Sequence, residues 1–168
     1  VAMTIEASGL WELIEKRAAL TPGDVMLVDQ DAREMTFAEY RGAVSVAAAG
    51  LTPLGVGEGV VVSWQLPTWT ESAVLVGALC RLGAVQNPML PIYRYREVSF
   101  IAKQTNCKLL ITPSTWNKFD YQALAEQVAG ETNYIHTLVA DPFNPNGDPA
   151  ALPPPPEVFA DPAKVPVP

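Results

Sequence analysis

The sequence predicts an α/β protein with a mainly parallel sheet and helices on both of its faces. Three observations point there. Helical and strand-like segments alternate from residue 10 to residue 139, the order that right-handed βαβ crossovers produce. The strand candidate VVVSW at 60–64 is a nearly unbroken apolar run, as a parallel strand covered on both faces is. The 168 residues are 49% hydrophobic and 17% charged, enough apolar material for one sizeable core.

The elements follow in order. Residues 10–20 place Leu10, Leu13, Ile14 and Arg17 at helical spacing, and Thr21-Pro22-Gly23 ends the segment. Residues 25–29 suit a strand, and 34–36 offer it a short partner. A helix over 37–52 follows, burying Tyr40, Val44, Ala47 and Leu51. Its capping box pairs Thr36 with Glu39, so that each side chain satisfies an orphan backbone donor. Pro53 and the glycines of 55–59 turn the chain into the strand 60–64. The helix 70–82 closes at Gly83, placed as a C′ glycine. The strand 84–88, helix 95–105, strand 108–112, helix 120–129 and strand 135–139 complete the set. The organisation expected is a subdomain over 1–140 and a proline-rich linker or tail over 141–168. Pro153 to Pro156 favour polyproline II and cannot join a sheet interior.

Charge narrows the function classes. Eleven Lys+Arg stand against 18 Asp+Glu, a net charge of −7. That balance argues against a general nucleic-acid binder, which needs a basic face, and against docking on an anionic membrane. The longest apolar stretch, residues 72–80, is too short to cross a bilayer and reads as a buried helix. No targeting segment is visible at the start, so the expected location is the cytoplasm. Cys80 and Cys107 make neither a disulfide framework nor a metal set, and each reads as a small buried hydrophobe. His136 is the sole histidine and reads as a structural residue in a strand.

Common catalytic signatures are missing. There is no GxxxxGK[ST], no GxGxxG opening a helix, no CxxC, no HExxH and no GxSxG. The glycines of LGVGEGVVV precede a strand, so they cannot aim helix N-terminal amides at a phosphate. No pair of carboxylates stands out as an acid/base couple.

Two segments are more specific: MTFAEYRGAVSVAAAGLTPLGVGEGVVVSWQLP and ESAVLVGALCRLGAVQNPMLPIYRYREVSFIAKQTNCKLLIT. Together they resemble the amino-terminal part of the adenylate-forming acyl-CoA synthetases, the AMP-dependent synthetases and ligases. Thr36-Phe37-Ala38-Glu39-Tyr40 is similar to that family's first core motif. Leu54-Gly55-Val56 and the strand after it resemble its Leu-Gly-Val step, with Glu58-Gly59 where Gly-Asp is usual. Leu66-Pro67-Thr68 resembles its Leu-Pro-Asn loop, with Thr for Asn. Arg81-Leu82-Gly83-Ala84-Val85, continuing through Pro88 to Tyr93, resembles the second core motif. The resemblance runs in order over about residues 10–140. Pro91-Ile92-Tyr93-Arg94-Tyr95 differs from the Asp-Pro-x-Tyr-Pro ending of amino-acid-activating members, which favours an acyl-CoA ligase. The finer resemblance is to bacterial medium-chain and cyclohexanecarboxylate-type CoA ligases.

The resemblance implies the amino-terminal subdomain of the synthetase fold. It also implies a parent that turns ATP, a carboxylic acid and CoA into acyl-CoA, AMP and pyrophosphate through an acyl-adenylate. The family's Thr/Ser/Gly-rich loop ending in Pro-Lys-Gly does not occur here. The chain is therefore expected to be an amino-terminal fragment without ligase activity of its own. No catalytic residue, metal ligand or bound cofactor is expected on it, the parent using ATP, Mg²⁺ and CoA. What carries over is the CoA side: Pro91, Tyr93 and Arg94 in the loop after the second core motif, and Lys118 as a cation for the CoA phosphates. Trp11, Trp64, Trp69 and Trp116 are expected in packing rather than in an acyl pocket. Surface that the rest of a synthetase would cover is expected to drive self-association.

Two rivals lack catalysis. One is a standalone flavodoxin-like or receiver-like binding domain, but the end of strand 60–64, Ser63-Trp64-Gln65, lacks a receiver's Asp, and VDQDAREMT is a poor flavin-phosphate loop. The other is a subunit of a split synthetase.

Overall fold

A computed structural model describes residues 5–29 and 32–141. The proline-rich segment 142–168 lies outside the described residues. The chain forms α1 (Leu10–Leu20), β1 (Val25–Val28), β2 (Glu34–Thr36), α2 (Phe37–Leu51), β3 (Val61–Trp64), α3 (Thr70–Arg81) and β4 (Val85–Pro88). It continues through α4 (Tyr95–Gln104), β5 (Leu109–Thr112), β6 (Thr115–Trp116), β7 (Phe119–Asp120), α5 (Tyr121–Gly130) and β8 (His136–Val139). Four strands pair in parallel in the order β4-β3-β5-β8. β1 with β2, and β6 with β7, form two small antiparallel hairpins.

Parallel strands cannot be joined by tight turns, so each is linked to the next by a helix that returns the chain. These helices bury the sheet from two sides, and there are two cores. α1, α2 and α3 pack over one face around Val44, Leu51, Leu75, Leu79, Val62, Leu109 and Ile111. α4 and α5 pack over the other around Val98, Ala102, Leu110, Tyr121 and Val128. β5 is buried at all four positions. The edge strands β4 and β8 are half-exposed, and Pro88 is tolerated because its strand is an edge.

Local chemistry sets the element ends. The Thr36 hydroxyl accepts from the Glu39 N–H at 3.3 Å, and the Glu39 carboxylate accepts from the Thr36 N–H at 2.8 Å. The Thr36 N–H and the Thr36 hydroxyl both donate to that carboxylate, which holds it below its ordinary value. Gly83, at φ 66°, ends α3 in the left-handed conformation that glycine adopts without strain.

The structure gives α1 its docking face and corrects one expectation, the full burial of Cys80. α1 docks through Trp11, Ile14 and Ala18, leaving Leu10 and Leu13 43% and 37% exposed. The Trp11 ring on that face carries the Arg81 guanidinium 4.9 Å from its centroid. Cys107 is buried as expected, but Cys80 is half-buried near the end of α3, where its sulfur accepts from Gln86 Nε2. All four tryptophans pack in or against the two cores.

α3 approaches α2 closely at Gly77. A Cβ there would lie 2.5 Å from Val44 Cγ2 and 2.7 Å from the Tyr40 hydroxyl. That hydroxyl donates to the Ala73 carbonyl at 2.7 Å, and burial pushes it up to about 12. We predict that Gly77→Ala lowers stability by about 2 kcal/mol, because both neighbours are buried and cannot yield cheaply. Urea unfolding checks this, and an unchanged midpoint would contradict the packing of α2 on α3.

Candidate functional site

In an open parallel sheet, ligands bind beyond the carboxyl ends of the strands, where the strand order reverses. Here the chain starts at β3, steps outward to β4, then crosses back to β5. The reversal lies between β3 and β5. Beyond it stand Gln65 and the loop 66–69, the turn 89–94, Pro113 with Ser114, and the β6–β7 hairpin.

The turn after β4 is braced from three directions. The Tyr93 N–H donates to the Leu90 carbonyl at 3.0 Å, closing a four-residue turn. From the end of β3, Gln65 Nε2 donates to the Leu90 and Tyr93 carbonyls at 2.8 and 2.9 Å. From the start of α5, the Tyr121 hydroxyl donates to the Pro91 carbonyl at 2.7 Å. Arg94 then folds back, its Nη1 donating to the Pro91 and Tyr93 carbonyls at 2.7 and 2.9 Å. Its guanidinium rests 4.0 Å from the centroid of the Phe119 ring, a cation–π geometry. The Arg94 N–H donates to the Glu97 carboxylate at 3.1 Å, which holds that carboxyl below its ordinary value and starts α4.

The structure sorts the four expected site residues. Pro91 and Tyr93 offer carbonyls that these bonds already use, and the Tyr93 ring packs against the second core. Arg94 and Lys118 are exposed cations. Lys118 directly precedes Phe119, the residue whose ring the Arg94 guanidinium rests on, so both cations are borne at this end of the sheet. Arg94 also walls a depression of about 360 Å³ with Phe119, Asp120 and Gln127. The Asp120 carboxylate there is engaged in capping α5 through the Ala123 N–H at 2.8 Å.

Sequence reasoning missed the hairpin that carries Lys118, and it missed Gln65. β6 and β7 are two residues each, joined by Asn117 and Lys118 at φ 48° and 64°. Both angles are positive, the signature of a two-residue turn that prefers Asn followed by Gly. Asn117 was the available signal. The glycines 55, 57 and 59 sit at the opposite edge of the sheet, before β3. Among the described residues, no group of three or more His, Cys, Asp or Glu side chains could hold a metal ion. No described helix is long and apolar enough to cross a membrane.

Comparison with known proteins gives consistent matches. The family model described as AMP-binding enzyme matches residues 14–166. The chain is 35% identical over 147 residues to a 2-hydroxy-7-methoxy-5-methyl-1-naphthoate–CoA ligase of Streptomyces carzinostaticus, covering 83% of this chain and 26% of that protein. It is 26% identical over 116 residues to the medium-chain fatty-acid–CoA ligase of Escherichia coli K12, covering 66% of this chain and 20% of that protein. The structure of O-succinylbenzoate coenzyme A synthetase from Bacillus subtilis, in complex with AMP, superposes with a TM-score of 0.65. The identity is 23%, and the match covers 79% of this chain and 31% of that one. The described fold is thus that of the amino-terminal subdomain of adenylate-forming ligases. The chain spans about a quarter of the length of the curated relatives it matches.

Lys118 sits at positive φ, where glycine would be less strained. Lys118→Gly should hold stability or raise it by up to about 1 kcal/mol, relief of strain outweighing the added freedom of the unfolded chain. Thermal unfolding checks this, and a clear fall in Tm would show that the lysine side chain supports the fold.

Proposed function

The chain belongs to the AMP-binding enzyme family, and on that premise we propose that it is the amino-terminal part of a ligase joining a carboxylic acid to coenzyme A. The observation that carries this reading is Arg94, a guanidinium held on a braced turn at the ligand-binding edge of the sheet. Coenzyme A is the substrate that fits it. A guanidinium offers paired donors to phosphate oxygens, and Lys118 adds a compact positive charge on the neighbouring hairpin. Among the described residues this edge carries neither a cluster of metal-binding side chains nor a glycine cradle, which supports a reading in which ATP and Mg²⁺ are held by other parts of the protein.

The work of this segment is therefore to orient. The strand ends fix the turn, and the turn fixes the cation that meets the anionic end of coenzyme A. The acid is proposed to be an alkyl or aryl carboxylate. The relatives named above for naphthoate and medium-chain fatty-acid substrates support that class, as does the Pro91-Ile92-Tyr93-Arg94-Tyr95 sequence. With the phosphates of ATP proposed to be held elsewhere, these 168 residues alone are proposed to be inactive. The reaction draws on cytoplasmic ATP and coenzyme A, and that is the location the reading carries.

The test is pyrophosphate release from ATP by the full-length protein that carries this chain, with a panel of aryl and medium-chain acids. Release that depends on the acid, with acyl-CoA formed once coenzyme A is added, is the expected result. The 168-residue chain alone should give none. No acid-dependent release from the full-length protein would overturn the reading.

A further inference from the structure

The Gln65 carboxamide reaches further into this site than any motif suggests. Its side chain is fully buried at the end of β3, and its backbone N–H continues the ladder to Ile111 at 2.9 Å. Both bonds from Nε2 go to carbonyl oxygens, which fixes the orientation of the amide, since the opposite one would set oxygen against oxygen. The other end, Oε1, is buried with no hydrogen-bond partner. A buried acceptor left unpaired costs free energy, so the group is not optimised for stability. Neither carbonyl depends on Gln65 for pairing. Leu90 O also accepts from the Tyr93 N–H, and Tyr93 O also accepts from Arg94 Nη1. What the carboxamide adds is a rigid tie between β3 and the turn that carries Arg94.

We propose that Gln65 is a positioning residue for coenzyme A, holding the Leu90–Arg94 turn so that the Arg94 guanidinium is preset for phosphate. The proposal rests on the reading of Arg94 as a coenzyme A contact. Arg94 touches the ligand, and Gln65 acts through it. Preorganisation of this kind lowers the cost of ordering a side chain on binding, so its loss appears in affinity and leaves the chemistry largely intact.

Gln65→Met keeps the volume and removes both donors. Because each carbonyl keeps a second partner, this variant is expected to fold. In the full-length protein it should weaken coenzyme A binding roughly tenfold by calorimetry. KM for coenzyme A should rise similarly, with kcat falling by no more than a factor of two. Amide exchange at Tyr93 should quicken in the absence of ligand. Arg94→Ala should weaken binding as well, and the double variant should be no worse than Arg94→Ala alone. Should Gln65→Met disturb folding, Gln65→Glu gives an independent readout. Its carboxyl can donate one bond only when protonated, so coenzyme A affinity should improve as pH falls. Unchanged affinity in both Gln65 variants, with Arg94→Ala impaired, would overturn the positioning role and leave the function intact. Unchanged affinity in Arg94→Ala would overturn the site itself and this proposal with it.

Discussion

β5 holds this molecule together because its side chains alternate between two cores. Leu109 and Ile111 enter the core under α1, α2 and α3, and Leu110 enters the one under α4 and α5. A parallel strand buried on both faces needs a helix-bearing connection on each side. That requirement brings the carboxyl ends of β3, β4, β5 and β8 to one edge. The turn 89–94, the β6–β7 hairpin and the start of α5 meet there because the strands they follow run in one direction.

At that edge the chain makes its connections rigid with side chains from other elements. Ser114 illustrates this: its N–H and hydroxyl both donate to the Asp141 carboxylate, at 2.7 and 2.9 Å, tying the end of β5 to the end of β8. The Ser114 carbonyl in turn accepts from the Tyr121 and Gln122 N–H groups, which seats the start of α5. Tyr121 then reaches from α5 to Pro91. The connection runs from β8 through β5 and α5 to the turn after β4, and Gln65 closes it from β3. Ile92, 73% exposed, is held outward on this braced turn, beside the cations rather than in a core.

Much of this was legible in the sequence. The helix and strand bounds follow from apolar spacing, from the Thr36–Glu39 capping box and from Gly83, because each is a local signal with a local cause. Arg94 was named through the resemblance, as part of the loop after the second core motif, and its contact with coenzyme A belongs to the proposal above. The tie from Gln65 was not legible, since a glutamine after an apolar strand has no pattern that tells which backbone it will meet 25 residues later. The β6–β7 hairpin escaped because two-residue strands carry no alternation, and Asn117 alone is a weak turn signal. The docking face of α1 was not legible for a similar reason: the spacing of Leu10, Leu13, Ile14 and Arg17 marks a helix, whereas Trp11, Ile14 and Ala18 are the residues it buries.

The central claim is that the strand-end edge around Arg94 and Lys118 is where this segment meets an anionic ligand. The most direct measurement is a titration of the isotopically labelled 168-residue chain with coenzyme A, read amide by amide. The account predicts that shifts concentrate at residues 91–94 and 117–119, and that they weaken when coenzyme A without its 3′-phosphate is used. Shifts centred on the glycines 55–59 at the opposite edge, or no shifts at saturating ligand, would contradict it.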